Sequence, residues 1–279
     1  MKIKSVKKAG KQFLVILALV PGLILIIFPM YVTIVTAFKT PQESGYNFFS
    51  LPSSLYMGNF LAVLNKSNYF RYILNTSVIL FCSVIAELLI VPMAAYSIQR
   101  NNRKYYRFLY AFIVCGLFVP FQVRMVSLVQ MMSHLHLMSK LGMVFLYLAA
   151  TTPPGVFLIT GYLKSVPMEI EEAAYMDGSG YAATYFKVVF PLLKPILSTL
   201  LIKDSLFIWN DFQLPLIILN GSTKSWTLQL FQYNFKSQYS FDYNLAFASF
   251  IMTMLPIMIL YVLIQKNIVA GLSAGAVKG

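Results

Sequence analysis

The chain carries little charge: only 11% of its 279 residues are Asp, Glu, Lys or Arg, against about 25% in an ordinary soluble domain. So few charges could not solvate a soluble surface of this size. Cysteine is nearly absent. Cys82 and Cys115 both fall inside apolar runs, which argues against a disulfide framework or a thiol site and leaves inert packing as the reading for both. His134 and His136 stand two residues apart, so they do not share a helix face, and no third ligand lies near them; a metal site is not expected. No G-x-x-x-x-G-K-[ST] stretch occurs, so the chain does not bind ATP by that loop and no cofactor is expected. Residues 271–275 fit G-x-S-x-G, but they lie in a tail without the strand and partner histidine that a nucleophile elbow requires. The basic excess, +13 in formal charge, gathers at the ends of apolar runs and is not interleaved with stacking aromatics, which argues against nucleic acid as a partner.

What the sequence has is hydrocarbon: 58% of residues are hydrophobic and the mean hydropathy is +0.71. A helix needs roughly 20 apolar residues, at about 1.5 Å of rise each, to cross about 30 Å of bilayer core. Six runs qualify, at residues 13–38, 72–98, 108–132, 143–163, 196–219 and 245–264. Helix is the expected structure for all of them, because lipid offers no partner to a free backbone group. The fold class is therefore all-α, a polytopic membrane bundle of six transmembrane helices.

The N-terminal lysines Lys2, Lys4, Lys7, Lys8 and Lys11 precede the first run as in a secretory signal. The run is too long and lacks a small-residue cleavage site, so an uncleaved first span is expected. Placing the N-terminus inside puts Arg100, Arg103, Lys104, Arg107, Lys164, Lys187, Lys194, Lys266 and Lys278 on the same side as those lysines. Only Lys39, Lys66, Arg71, Lys140, Lys224 and Lys236 fall outside. The positive-inside rule then sets both termini in the cytoplasm of a multi-pass protein of the cell membrane. Residues 1–12 read as the cytoplasmic N-terminus, 13–267 as the six-span domain and 268–279 as a cytoplasmic tail.

Proline recurs within the runs, at Pro21, Pro29, Pro92, Pro120, Pro153, Pro154, Pro215 and Pro256. Each is expected to kink or break its helix. Broken helices at membrane depth are tolerated where they face protein or a watery cavity, which favours a transport pathway over a simple anchor. Charged groups within spans, Glu87, Arg124, Lys203, Asp204 and Asp211, are functional candidates by cost alone. Lys203 and Asp204 point about 100° apart on a helix and need not pair.

The segment 164–195, between the fourth and fifth runs, is patterned as two short helices. Pro167 suits a first helical turn, and Glu169, Glu171 and Glu172 set negative charge at the positive N-terminal end. Gly178, Ser179 and Gly180 supply a stop and a turn, and a second helix from about Tyr181 is expected to end before Pro191. Ala173 and Ala174 are small, so another protein could approach the first helix closely. On charge pattern alone, a docking helix and an ordinary surface helix are equally compatible.

Glu172-Ala173-Ala174, three residues, Gly178, nine residues and then Val188-Val189-Phe190-Pro191 resemble the EAA loop of ABC importer permeases, EAA-x3-G-x9-I-x-L-P. Val188 and Phe190 stand for the usual Ile and Leu. Trp209-Asn210-Asp211-Phe212 with Pro215, the stretch from Val91-Pro92 to Arg100, and the tail from Gly271 to Gly279 narrow the likeness to the MalG-like carbohydrate permeases and spread it over nearly the whole chain. That resemblance implies a type I ABC importer permease fold and a subunit without its own ATPase site. It implies three kinds of protein partner: a second, homologous permease forming a heterodimer, a dimer of cytoplasmic ATP-binding subunits, and an extracytoplasmic solute-binding protein. By the same likeness Glu169, Glu172, Ala173, Ala174, Asp177, Gly178 and Pro191 belong to the ATPase-docking loop. Gly271, Gly275 and Lys278 belong to a tail that reaches the ATPases, for which a frayed terminus is the plain alternative. Trp209, Asn210 and Asp211 are candidates for the translocation path, and a helix-packing role suits them equally. The implied cargo is a sugar or oligosaccharide, with a phosphorylated polyol such as glycerol 3-phosphate as the alternative. An ion-coupled secondary transporter using Glu87 is the competing class.

Overall fold

The computed structural model describes residues 2–66, 68–238 and 242–276, and all regular structure among them is helical. The helices are α1 (Lys2–Ala37), α2 (Pro41–Tyr46), α3 (Gly58–Lys66), α4 (Tyr69–Arg100), α5 (Lys104–Cys115), α6 (Phe121–His134) and α7 (Lys140–Leu163). They continue as α8 (Glu169–Met176), α9 (Tyr181–Thr184), α10 (Phe190–Leu192), α11 (Lys194–Asn210), α12 (Gln213–Leu219), α13 (Leu228–Gln238) and α14 (Tyr243–Ala276).

Four helical stretches are long and apolar enough to cross a membrane unbroken: Leu19–Ala37, Tyr69–Arg100, Lys140–Leu163 and Tyr243–Leu263. The total is six when each of two bent pairs is counted as one span, Lys104–Phe118 with Phe121–His134 at 106° and Tyr181–Leu192 with Lys194–Asn210 at 70°. The third and fifth expected spans are thus corrected. Run 108–132 is not one helix, because the backbone passes through a 3-10 turn at Gly116–Phe118 into extended Val119 (φ −89°, ψ 110°) ahead of Pro120. Proline disfavours helix in the residue before it and has no N–H to give. Run 196–219 also breaks: α11 ends at Asn210, Asp211 is extended (φ −71°, ψ 127°), and Pro215 sits near the start of α12. Pro21, Pro29, Pro92, Pro153, Pro154 and Pro256, by contrast, lie inside continuous helices.

The chain divides into two compact units, Met1–Tyr69 with Gln232–Leu255 and Phe70–Phe231 with Pro256–Gly279. In the first, the last carbonyls of α1 have no partner within their helix and two asparagines supply one. Asn244 Nδ2 donates to Thr36 O (2.8 Å) and Lys39 O (2.9 Å), and Asn59 Nδ2 donates to Ala37 O and Lys39 O, both at 2.8 Å. Lys39 itself, counted from sequence as an outer loop charge, is fully buried, its ammonium donating to Asn47 O, Phe48 O and Ser50 Oγ. Most of the apolar part of α1 has no cover from the chain, from Leu19 to Met30.

The second unit is built around α4 and α7, which share a core of Val91, Ala95, Val156, Ile159 and Leu163 with Leu193 and Leu200 from the later helices. Gly155 sits at their closest approach: a Cβ there would lie 2.8 Å from Val91 Cγ1. Cys82 and Cys115 are unpaired and exposed, so packing in a core is not their role.

Candidate functional site

The segment expected to dock a partner lies in the second unit, on the chain between α7 and α11. Its first helix, α8, has two faces. Glu169, Glu172, Ala173 and Met176 stand at i, i+3, i+4 and i+7, one stripe of a 3.6-residue helix, and all four are exposed. Met176 retains 89% of its surface. Among the described residues, no side-chain hydrogen bond or ion pair engages this acidic and apolar stripe.

The opposite face is fastened by Glu171, which is buried. Arg100, the last residue of α4, donates from Nε to Glu171 Oε1 at 2.8 Å, and its Nη2 lies 2.7 Å from the same oxygen. Tyr96 Oη, one turn earlier on α4, donates to Glu171 Oε2 at 2.7 Å. The same guanidinium donates to Val166 O (3.0 Å) and Leu163 O (3.4 Å), carbonyls at the open C-terminal end of α7. One side chain therefore ties α4, the end of α7 and α8 together. Sequence reasoning missed this clamp, having placed Glu171 with its neighbours as a helix-end charge. No local signal marked it: Glu172 and Ala173 are likewise about 100° apart and both are exposed.

After α8 the chain reverses at Gly178, whose φ of +84° is the left-handed region that suits glycine. Ser179 N donates to Ala174 O (2.9 Å) and Gly178 N to Tyr175 O (3.0 Å), closing the end of α8 as a Schellman turn. The second loop helix does not stop before Pro191. A π turn at Tyr185–Val189 precedes α10, which contains Pro191, and the bend falls at Leu193 instead. The wider turn makes room for a proline ring that a regular helix would press against the carbonyl of residue 187. Tyr185, Val189 and Leu193 are buried in the α4–α7 core, so α8, its turn and α11 are packed onto one body. Glu169, Glu172, Ala173, Asp177, Gly178 and Pro191 are exposed, and Ala174 is half-buried.

The other candidates are not brought together. Trp209 is buried, while Asn210 is exposed and spends its Nδ2 on Leu206 O at 2.9 Å. Asp211 accepts from Tyr147 Oη (3.0 Å) and from Gln213 N (2.9 Å), which ties α7 to the start of α12 and supports the packing role. Lys203 and Asp204 do pair, at 2.5 Å, because the long lysine stem reaches around the helix. Buried Glu87 is faced by Asp204 and Thr151, and Arg124 is exposed on α6. Among the described residues no three metal-ligating side chains converge. Gly271 and Gly275 lie on α14, which continues unbroken to Ala276, and Lys278 lies outside the described residues.

Residues 88–274 match the family described as binding-protein-dependent transport system inner membrane component. The chain belongs to that family. Members similar over almost their whole length include the multiple sugar-binding transport system permease protein MsmG of Streptococcus mutans, 44% identical over 92% of this chain and 94% of that one. The probable starch degradation products transport system permease protein AmyC of Thermoanaerobacterium thermosulfurigenes is 36% identical, covering 96% and 97%. The melibiose/raffinose/stachyose import permease protein MelC of Bacillus subtilis is 31% identical, covering 90% and 91%. The fold matches a chain of a bacterial ABC transporter involved in the import of the acidic polysaccharide alginate, with a TM-score of 0.79 over 92% of this chain at 19% identity. The ABC importer permease fold is thereby established, and this family member is a multi-pass membrane transport component.

Proposed function

We propose that this chain is one permease subunit of an ATP-driven importer for a sugar or oligosaccharide, paired with a second, homologous permease. Two cytoplasmic ATP-binding subunits hydrolyse the nucleotide, and a solute-binding protein delivers cargo on the other side. Both termini are cytoplasmic, residues 1–12 precede the permease domain of 13–267, and Gly271, Gly275 and Lys278 reach toward the ATPases. The names of the relatives support a sugar over a phosphorylated polyol and over an ion-coupled carrier.

The observation that carries the reading is the division of labour on α8. Its stripe of Glu169, Glu172, Ala173 and Met176 is exposed, while its other face is fixed to α4 and α7 through Glu171 and Arg100. A motor outside the membrane can bias a bundle between inward-open and outward-open states only through an element stiff enough to transmit its closure. A helix gripped on one face and bolted on the other meets that requirement. Cysteine placed at Ala173 is expected to crosslink to a nucleotide-hydrolysing subunit in intact membranes, with Glu172→Lys abolishing uptake while the chain still inserts. Normal uptake by Glu172→Lys, or crosslinks that never capture such a subunit, would overturn the assignment.

A further inference from the structure

The seam between α5 and α7, within the second unit, holds two cavities that transport by α8 does not use. The first is a cleft of about 360 Å³ lined by Asn101, Asn102, Tyr106, Arg107, Tyr110 and Lys164. Arg107 and Lys164 are exposed there, and their side chains make no hydrogen bond or ion pair among the described residues. Between Glu87 and Glu169 the sequence contains no acidic residue, and Glu171, the buried carboxylate of the neighbouring loop, is committed to Arg100. A donor-rich cleft with two unpaired cations calls for an anion with several acceptor oxygens.

The second cavity, about 500 Å³, is apolar and lined by Phe112, Ile113, Ala149 and Pro153. It lies farther along the same helix pair. On α7, Ala149, Pro153, Thr160 and Lys164 fall at i, i+4, i+11 and i+15, one face of the helix. On α5, Tyr106, Tyr110 and Ile113 fall at i, i+4 and i+7, again one face. From Thr160 to Pro153 is about 10 Å along the axis. A cationic mouth that opens onto an apolar groove along one helix pair matches an amphipathic ligand with a phosphate at one end and hydrocarbon at the other.

We propose that this seam binds an anionic phospholipid, its phosphate against Arg107 and Lys164 and an acyl chain along Ala149 and Pro153. Lys164 is the residue that ends α7 and starts the docking loop, so the lipid would join α5 to the root of that loop and stiffen it. The placement in the inner leaflet rests on the cytoplasmic orientation proposed above; the binding itself does not.

The test uses the full chain, purified with its partner subunits and reconstituted in nanodiscs of phosphatidylcholine doped with phosphatidylglycerol, with lipid retained after detergent extraction read by native mass spectrometry. Phosphatidylglycerol is expected to be retained over phosphatidylcholine. Each basic side chain near a membrane surface contributes about fivefold, so Arg107→Gln with Lys164→Gln is expected to lower retention roughly 25-fold. Ala149→Trp, which fills the apolar groove from an exposed position, is expected to lower retention with both cations in place. Equal retention of the two lipids, or retention unchanged in both variants, overturns the proposal. So does displacement of the lipid by inorganic phosphate alone, which marks a simple anion site, or a groove found covered by the partner permease. Failure of the unsubstituted complex to retain phosphatidylglycerol, with its ATPase coupling intact, counts against the lipid site only; retention without any co-purifying ATPase counts against the importer reading only.

Discussion

Replacing Arg100 by Met removes four polar contacts at once and leaves the apolar stem in place. The guanidinium lies 2.7 to 3.0 Å from Glu171 Oε1 and Val166 O, with a longer contact to Leu163 O. Its side chain is 9% exposed and that of Glu171 is 4% exposed, so solvent screening does not discount the pair. Removing one partner of a buried ion pair costs about 3–5 kcal/mol, because the other charge stays behind uncompensated. Tyr96 still donates to Glu171, which places the expected cost at the lower end, about 3 kcal/mol. A shift of that size moves the docked-to-undocked equilibrium of α8 by roughly 100-fold. Amide hydrogen exchange across residues 169–176 should therefore accelerate by a similar factor, and substrate-stimulated ATPase activity should uncouple from uptake in proteoliposomes. The double variant Arg100→Met with Glu171→Met, which replaces the pair by apolar groups, is expected to recover most of the exchange protection. Wild-type exchange and wild-type uptake in Arg100→Met would refute the clamp, and so would a double variant no better than the single one.

Three further outcomes follow from the same geometry. Gly178→Ala meets no atom but must hold φ near +84°, and is expected to cost about 1 kcal/mol; Gly178→Asn should cost less, the order to be read from thermal unfolding in detergent. Glu87 is buried and neither of its oxygens has a hydrogen-bonding partner, so Glu87→Gln, a neutral isostere with N–H donors facing Asp204 and Thr151, should hold or raise the unfolding temperature. A loss of several degrees in Glu87→Gln contradicts that account. Lys39→Met strands the carbonyls of Asn47 and Phe48 and is expected to destabilise by about 3 kcal/mol, whereas a neutral result would show that Lys39 acts as an ordinary surface lysine.

Much of the proposed docking site's local structure was legible because its signals are local. The spacing from Glu172 to Gly178 is a property of consecutive residues, and the positive φ of the turn follows from what only glycine adopts without strain. Chain-local rules misjudged places where distant groups compete. Lys39 reads as a loop charge until the backbone of Asn47 and Phe48 closes over it. Lys203 and Asp204 pair because burial leaves the carboxylate no better donor, which a helical wheel does not display. Pro191 reads as a helix stop, yet a π turn ahead of it carries the helix through.

Hydropathy by itself determined that the chain spans a membrane as helices, since an apolar run excluded from water must satisfy its backbone internally. Proline positions determined where helices are at risk, and loop spacing singled out the segment proposed to meet a partner. Only the tertiary structure decided which of these prolines break their helices and which glutamate of the acidic helix turns inward. It also decided that Arg100, 71 residues from Glu171 in sequence, fastens that helix to the bundle. The reason is geometric: composition and periodicity fix what each segment prefers, whereas a buried charge is stable only where a partner arrives from elsewhere in the chain, and its arrival is set by packing.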